Sequence, residues 1–185
     1  MAEYYLISQL PSLDGVGENM PIPITEERFS ELCGRFLSAK AKREFEKLSL
    51  IPTKEYEKSY SALVENWNCG ERDLRLALGK IRAEKMKKSF DIGDKILPTA
   101  LLAVAKTATE IENPLEAEGF LNLYRLNFLE SLRPTDTFAE DYIFYYGLKL
   151  KLLLRIRQFD TQSGETAYRK IYNSIINEND LEAVQ

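Results

Sequence analysis

The sequence predicts an all-α protein built from antiparallel helical hairpins around one long C-terminal helix. Three observations point there: apolar residues recur at helical spacing through most of the chain, no useful stretch alternates with period two, and helix start signals recur. The longest of these stretches, 137–160, is apolar around most of its circumference. Ile143, Tyr146, Leu150, Leu153 and Leu154 cover one side, and Tyr145, Leu148, Leu152, Ile156 and Phe159 cover another. Such a helix needs partners from two directions, so it is expected to be the buried spine.

The elements follow in order. The opening EYYLISQLPSL predicts a short extended or briefly regular segment closed by Pro11, and DGVGENMPIPI, with two glycines and two prolines, predicts a linker. Thr25 opens the first clear helix, with Phe29, Leu32, Phe36 and Leu37 at helical spacing and acids in its first turn, where the dipole favours them. A second helical run ends before Pro52. From Thr53 the positions Tyr56, Tyr60, Leu63, Val64 and Trp67 are again helical, and Asn68-Cys69-Gly70 predicts a break. The next helix carries Leu74, Leu78 and Ile81.

A turn is expected at 91–94, then a short helix from Pro98 to Ala108. Asn113-Pro114-Leu115-Glu116 predicts a helix start, with asparagine as cap and proline in the first position. For the long helix, Thr137 and Glu140 have the spacing of a capping box. A polar turn TQSG and a last helix, 165–177, with Tyr168, Ile171, Tyr172 and Ile175 aligned, complete the chain. The whole reads as one helical domain, 1–185, with a soft boundary near 89–97.

Composition restricts the chemistry. The chain has no histidine, which removes the commonest general base and transition-metal ligand, and its two cysteines, Cys33 and Cys69, have no metal or disulfide spacing. Zinc sites, Ser-His-Asp triads and Cys-His dyads are excluded. Carboxylates remain: Glu110, Glu112, Glu116 and Glu118 cluster at a helix start, where a magnesium site is conceivable but where acids also stabilise the helix end. Glu26, Glu27 and Glu31 have no acidic counterpart on another helix. Asp14-Gly15-Val16-Gly17-Glu18 lacks the lysine and the strand–helix setting of a phosphate loop and reads as a turn. Lysine–serine neighbours such as Ser38/Lys40 and Lys88/Ser89 carry no weight. No catalytic residue, metal ligand, cofactor or small-molecule substrate is expected.

Between Glu71 and Lys88, seven cations face three acids. Arg72, Arg75, Arg82, Lys85, Lys87 and Lys88 are the candidate partner-binding residues, docking an acidic protein surface. Nucleic acid is disfavoured by the net charge of −4 and by the lack of interleaved aromatics. Lys149, Lys151 and Arg155 argue against a membrane span at 137–160. The acidic N-terminus does not resemble a signal peptide, so a cytoplasmic protein is expected.

Four stretches in order complete the reading: Tyr4-Tyr5-Leu6-Ile7-Ser8-Gln9-Leu10-Pro11; Leu74-Arg75 with Ile81-Arg82-Ala83-Glu84-Lys85; Asn113-Pro114-Leu115-Glu116-Ala117-Glu118; and Lys149-Leu150 through Arg155, Phe159-Asp160, Gly164 and Tyr168. Together they resemble a family of uncharacterised bacterial proteins encoded with V-type ATPase subunits. Ile156, in place of a tryptophan, and Asn122, in place of an acid, depart from its pattern.

The resemblance implies a non-catalytic structural or coupling subunit, similar to the C (eukaryotic d) subunit of V-type ATPases, a helical socket that seats the central stalk on the membrane ring. With 185 residues the chain is shorter than such sockets, so a shortened socket and an accessory factor are both open. The implied partners are central-stalk and membrane-ring subunits. The implied location is the cytoplasm, peripheral to the inner membrane, and the implied role is in proton or sodium transport. The competing readings are a small magnesium-dependent nucleotide or diphosphate hydrolase using Glu112, Glu116 and their neighbours, and a helical adaptor unrelated to ATPases.

Overall fold

The computed structural model describes residues 2–16, 20–53, 58–91, 93, 95–158, 164, 166, 168–169 and 171–172. Among them are seven helices and no strand: α1 (Ala2–Gln9), α2 (Glu26–Phe36), α3 (Ala39–Glu46), α4 (Ala62–Lys85), α5 (Thr99–Glu110), α6 (Pro114–Ser131) and α7 (Glu140–Arg157). The all-α class is as the periodicity predicts. The expected turn at 161–164 and last helix at 165–177 lie mostly outside the described residues, although Gly164, Thr166, Tyr168, Arg169, Ile171 and Tyr172 are helical.

The spine is buried as its all-round apolarity requires. Every residue from Ile143 to Leu150 is buried, with Leu152, and α7 packs against α2, α4 and α6. Its beginning differs from expectation. Thr137 does not cap it: the Asp136 carboxylate accepts from the Phe138 amide at 2.9 Å, forming a turn, and the helix starts at Glu140 behind Ala139, which makes no side-chain cap. Glu140 is not free to reach back, because its carboxylate accepts from the Ser38 and Tyr60 hydroxyls. With 18 residues, α7 is about 27 Å long.

Three further expectations are corrected. The opening segment is helical rather than extended: as a helix it drives Leu6 to full burial and packs Ile7 on the main core, with Tyr4 stacked on Phe138 at 5.0 Å. The break at Asn68-Cys69-Gly70 is absent. Instead α4 runs unbroken from its Ser61 cap, and Gly70 lets α6 approach, since a Cβ there would lie 2.4 Å from the Phe128 ring. The start of that helix is also later than Thr53, leaving Tyr60 exposed ahead of it.

Antiparallel packing describes α6 and α7, joined by Tyr145 to Glu130 at one end and Arg155 to Glu118 at the other. By contrast, α4 and α5 run in the same direction. Lys95 pairs with Asp73 near the start of the shared length, and Lys85 reaches the Thr109 carbonyl at its end. The chain between them returns along α4, with Phe90 lying over Gly79.

Two apolar clusters result. The larger joins α1, α2, α3, the first turns of α4, Leu129 and α7 around Phe29, Trp67 and Tyr145. The smaller joins Leu74, Ala77 and Leu78 of α4 to Leu97, α5 and Leu121. Both clusters draw residues from each side of 89–97.

Candidate interaction surface and the charged ties beneath it

The α4 sequence disposes its cations unequally. Arg72 is half-buried and donates to the Thr53 carbonyl at 3.1 Å, while exposed Arg75 pairs with buried Glu71 at 3.0 Å. Arg82, Lys85, Lys87 and Lys88 are exposed at the carboxyl end of α4, roughly 15 Å or more along the axis from Arg72. Of the six candidate residues, these four make one basic end.

That end is shaped by its own backbone. The Lys88 amide bonds to the Ala83 carbonyl at 2.9 Å and the Lys87 amide to Glu84 at 3.0 Å, with Lys87 left-handed at φ 55°. This is a Schellman cap with lysine where glycine is usual. The Lys85 ammonium, on the Thr109 carbonyl at 3.1 Å, sits at the negative end of the α5 dipole, so part of the basic excess stabilises a neighbouring helix.

The clustered acids do not converge. Glu116 accepts from its own cap, Asn113, at 3.1 Å; Glu118 is held by Arg155 at 2.7 Å and Arg125 at 3.4 Å; Glu110 faces Lys106 at 3.9 Å. Among the described residues no three acids or cysteines are grouped to hold a metal ion. The geometry therefore lends the magnesium reading no pocket. Cys33 is fully buried, and burial pushes its thiol up to about 12, which keeps it protonated and unreactive.

Two charged clusters escaped the sequence reading. In the first, Arg125 of α6 forks onto Glu71 of α4 at 3.0 and 3.2 Å, and Glu118 bridges Arg125 to Arg155 of α7. Glu71 and Arg125 are 3% and 8% exposed, so this tie crosses the interior of three helices. Asn122, one of the departures from the resembling pattern, accepts from Arg125 at 3.2 Å. Glu71 was visible only as one acid among many cations, because spacing on one helix says nothing about a partner 54 residues away.

In the second, Lys149 of α7, buried, donates to Asp14 and to Glu130 at 2.6 Å each, and Tyr145 donates to Glu130 at 2.7 Å. Arg133 adds a contact to Asp14 at 3.3 Å. Burial alone would lower the Lys149 pKa, but its hydrogen bonds with Asp14, Glu130 and Tyr145 outweigh that and hold it above the ordinary value. Tyr145 is pushed up to about 12, first by burial and then by Glu130. The loop after α1 is thus latched to α6 and α7 through Asp14.

This latch has a pH dependence of definite sign. The hydrogen bond from Lys149 holds the Asp14 carboxyl below its usual value; for Glu130, burial raises it, but Lys149 and Tyr145 bring it below. Both acids bind fewer protons folded than unfolded, so their contribution is present above the usual carboxylate range and lost as pH falls through and below it. The urea midpoint is expected to fall below about pH 5, and Lys149→Met, which removes the shared cation, should flatten that fall. Urea titrations across this range, on both proteins, check it.

Residues 87–179, spanning α5, α6 and α7, match a family model described as a protein of unknown function, DUF2764. The chain belongs to that family. No curated protein and no solved structure matches it. The DUF2764 match takes in Glu118, Arg125, Lys149 and Arg155, while Glu71 and Asp14, to which they are tied, lie outside it. Among the described residues no helix is long and apolar enough to cross a membrane.

Proposed function

We propose that this DUF2764 protein is a non-catalytic structural or coupling subunit, or an accessory protein, of a bacterial V-type rotary ATPase. It acts through contacts with central-stalk and membrane-ring subunits, on the cytoplasmic side and peripheral to the inner membrane. In that setting it contributes to proton or sodium transport while ion translocation and ATP hydrolysis belong to its partners.

The order and spacing of the four resembling stretches carry this reading. Lys149–Arg155 of the last stretch lie on α7 and the first three stretches on or beside α1, α4 and α6; together they include Leu6 and Leu74 of the two cores, Glu118 and Arg155 of the first charged tie and Lys149 of the second. A protein that transmits force needs its helices joined side to side. The basic end at Arg82, Lys85, Lys87 and Lys88 supplies a surface for an acidic partner.

The test is an affinity pull-down of the full chain from native membranes. Stalk and ring subunits should accompany it, and Lys87→Glu/Lys88→Glu should reduce their recovery about tenfold, the equivalent of roughly 1.4 kcal/mol. If no ATPase subunit accompanies the native chain, the reading fails. Recovery indifferent to the charge reversal moves the contact away from this end.

A further inference from the structure

The return of the chain along α4 leaves exposed apolar side chains among cations. Phe90 lies over Gly79, and Met86 follows Gly79 by two helical turns, so both stand on one side of α4. Arg82, three positions after Gly79, shares that side. Lys95, held on Asp73, puts Ile96 roughly 20 Å back from Met86 along the axis. Met86, Phe90 and Ile96 are 60, 45 and 93% exposed, although Leu97, next to Ile96, is buried in the smaller cluster.

We infer that this side of the molecule contacts an anionic lipid bilayer directly. Met86, Phe90 and Ile96 enter the interfacial layer, and Arg82, Lys87 and Lys88 meet the headgroups. Charge is the first support. The side chains of Arg82, Lys87 and Lys88 are exposed and make no ion pair among the described residues, whereas Lys85 is occupied by the Thr109 carbonyl and Lys95 by Asp73. Of the neighbouring acids, Glu84 is turned nearly to the opposite side of α4, and Asp91 accepts from the Gly93 amide at 2.8 Å. The chain carries −4 overall, so an anionic membrane repels the rest of the molecule and the free cations at this end set the approach.

Shape is the second support. Ile96 has almost its whole surface in water, so it protrudes, and Met86 stands at the tip of α4 between Lys85 and Lys87. A bilayer takes in protruding apolar side chains without a matching pocket for each, while the lysine stems lie along its apolar layer with their charges outward. An acidic protein surface accounts for the cations but leaves Met86 and Ile96 unexplained.

The inference does not rest on the ATPase reading, and vesicles free of protein test it. The purified full chain should sediment with vesicles of equimolar phosphatidylcholine and phosphatidylglycerol and stay in solution with phosphatidylcholine alone. Lys87→Glu/Lys88→Glu should lower the partition about tenfold or more, and added salt should weaken it. Met86→Ser/Ile96→Ser, which leaves the charge unchanged, should lower it severalfold. Circular dichroism should show the same helicity in both variants. No binding of the native chain, equal binding to the neutral vesicles, or binding indifferent to either pair of substitutions would overturn the inference. Recovery of ATPase subunits without vesicle binding would leave this end to a protein partner and likewise overturn it. Vesicle binding without ATPase subunits would uphold it while the ATPase reading fails.

Discussion

Arg125→Met is expected to destabilise the fold by about 3 kcal/mol, while Glu71→Leu/Arg125→Leu should cost markedly less than the sum of its parts. Glu71 is 3% exposed, and two of its hydrogen bonds come from the Arg125 fork. Removing the arginine leaves a buried carboxylate with Arg75, which bonds only one of its oxygens and is itself 44% exposed. A buried charge stripped of its main partner loses far more than the pair contributes, because desolvation of the survivor is no longer compensated. Taking both charges away removes that penalty and leaves leucines beside Leu74 and Leu121, in the smaller cluster. Equilibrium urea unfolding of the two single variants and the double variant gives the coupling directly. A double variant as unstable as the sum of the singles would mean that the tie is not a unit.

This tie also governs how the two apolar clusters are joined. Glu71 follows Trp67 of the larger cluster by four positions and precedes Leu74 of the smaller by three, so the charged pair lies at the seam between them. Through Glu118 the same network reaches Arg155 in the last turn of α7. Charge-assisted hydrogen bonds thus run without a gap from the seam between the clusters to the end of the spine.

What could be read from sequence was whatever depends on neighbours along the chain. Asn113 caps α6 and Pro114 opens it, because both act within one turn of backbone. The burial of Ile143–Leu150 follows from apolarity on every side of one helix. Most of the failures involve distant partners. Glycine at position 70 looked like a break because glycine weakens an isolated helix by about 1 kcal/mol. Phe128 offsets that weakness, since its ring packs against α4 only where no Cβ stands in the way.

Thr137 and Glu140 have capping-box spacing, yet Ser38 and Tyr60, far off in sequence, claim the glutamate. Lys149 was legible as a charge in an apolar helix, but Asp14, its partner 135 residues away, was not. The basic residues of the candidate surface are plain in the sequence. Their separation into Arg72 and Arg75, engaged locally, and an exposed end at 82–88 appears only once α4 is seen to be continuous.

Trp67→Ala should be the most damaging single truncation, at about 3–5 kcal/mol, and Trp67→Phe is expected to cost much less. Trp67 is 1% exposed and is the largest fully buried side chain, stacked on Phe128 at 6.1 Å. Phe128 is in turn the residue that fills the space over Gly70. Cutting the indole back to a methyl leaves a cavity between α4 and α6 and frees the Phe128 ring that fixes their separation. Collapse into that cavity is resisted by the Arg125–Glu71 fork one turn further along, which holds the two helices at their present spacing. Phenylalanine keeps most of the stacking area. It also deletes the indole N–H, which is buried without a hydrogen-bond partner among the described residues, so part of its cavity cost is offset. For a chain of this length, 1 kcal/mol corresponds to about 2–4 °C, so alanine should lower the melting temperature by roughly 6–20 °C. Circular dichroism is the readout, because Trp67 is the only tryptophan and tryptophan fluorescence disappears with it. Equal losses for alanine and phenylalanine would show that neither filled volume nor the stack on Phe128, both largely kept by phenylalanine, accounts for the contribution of Trp67.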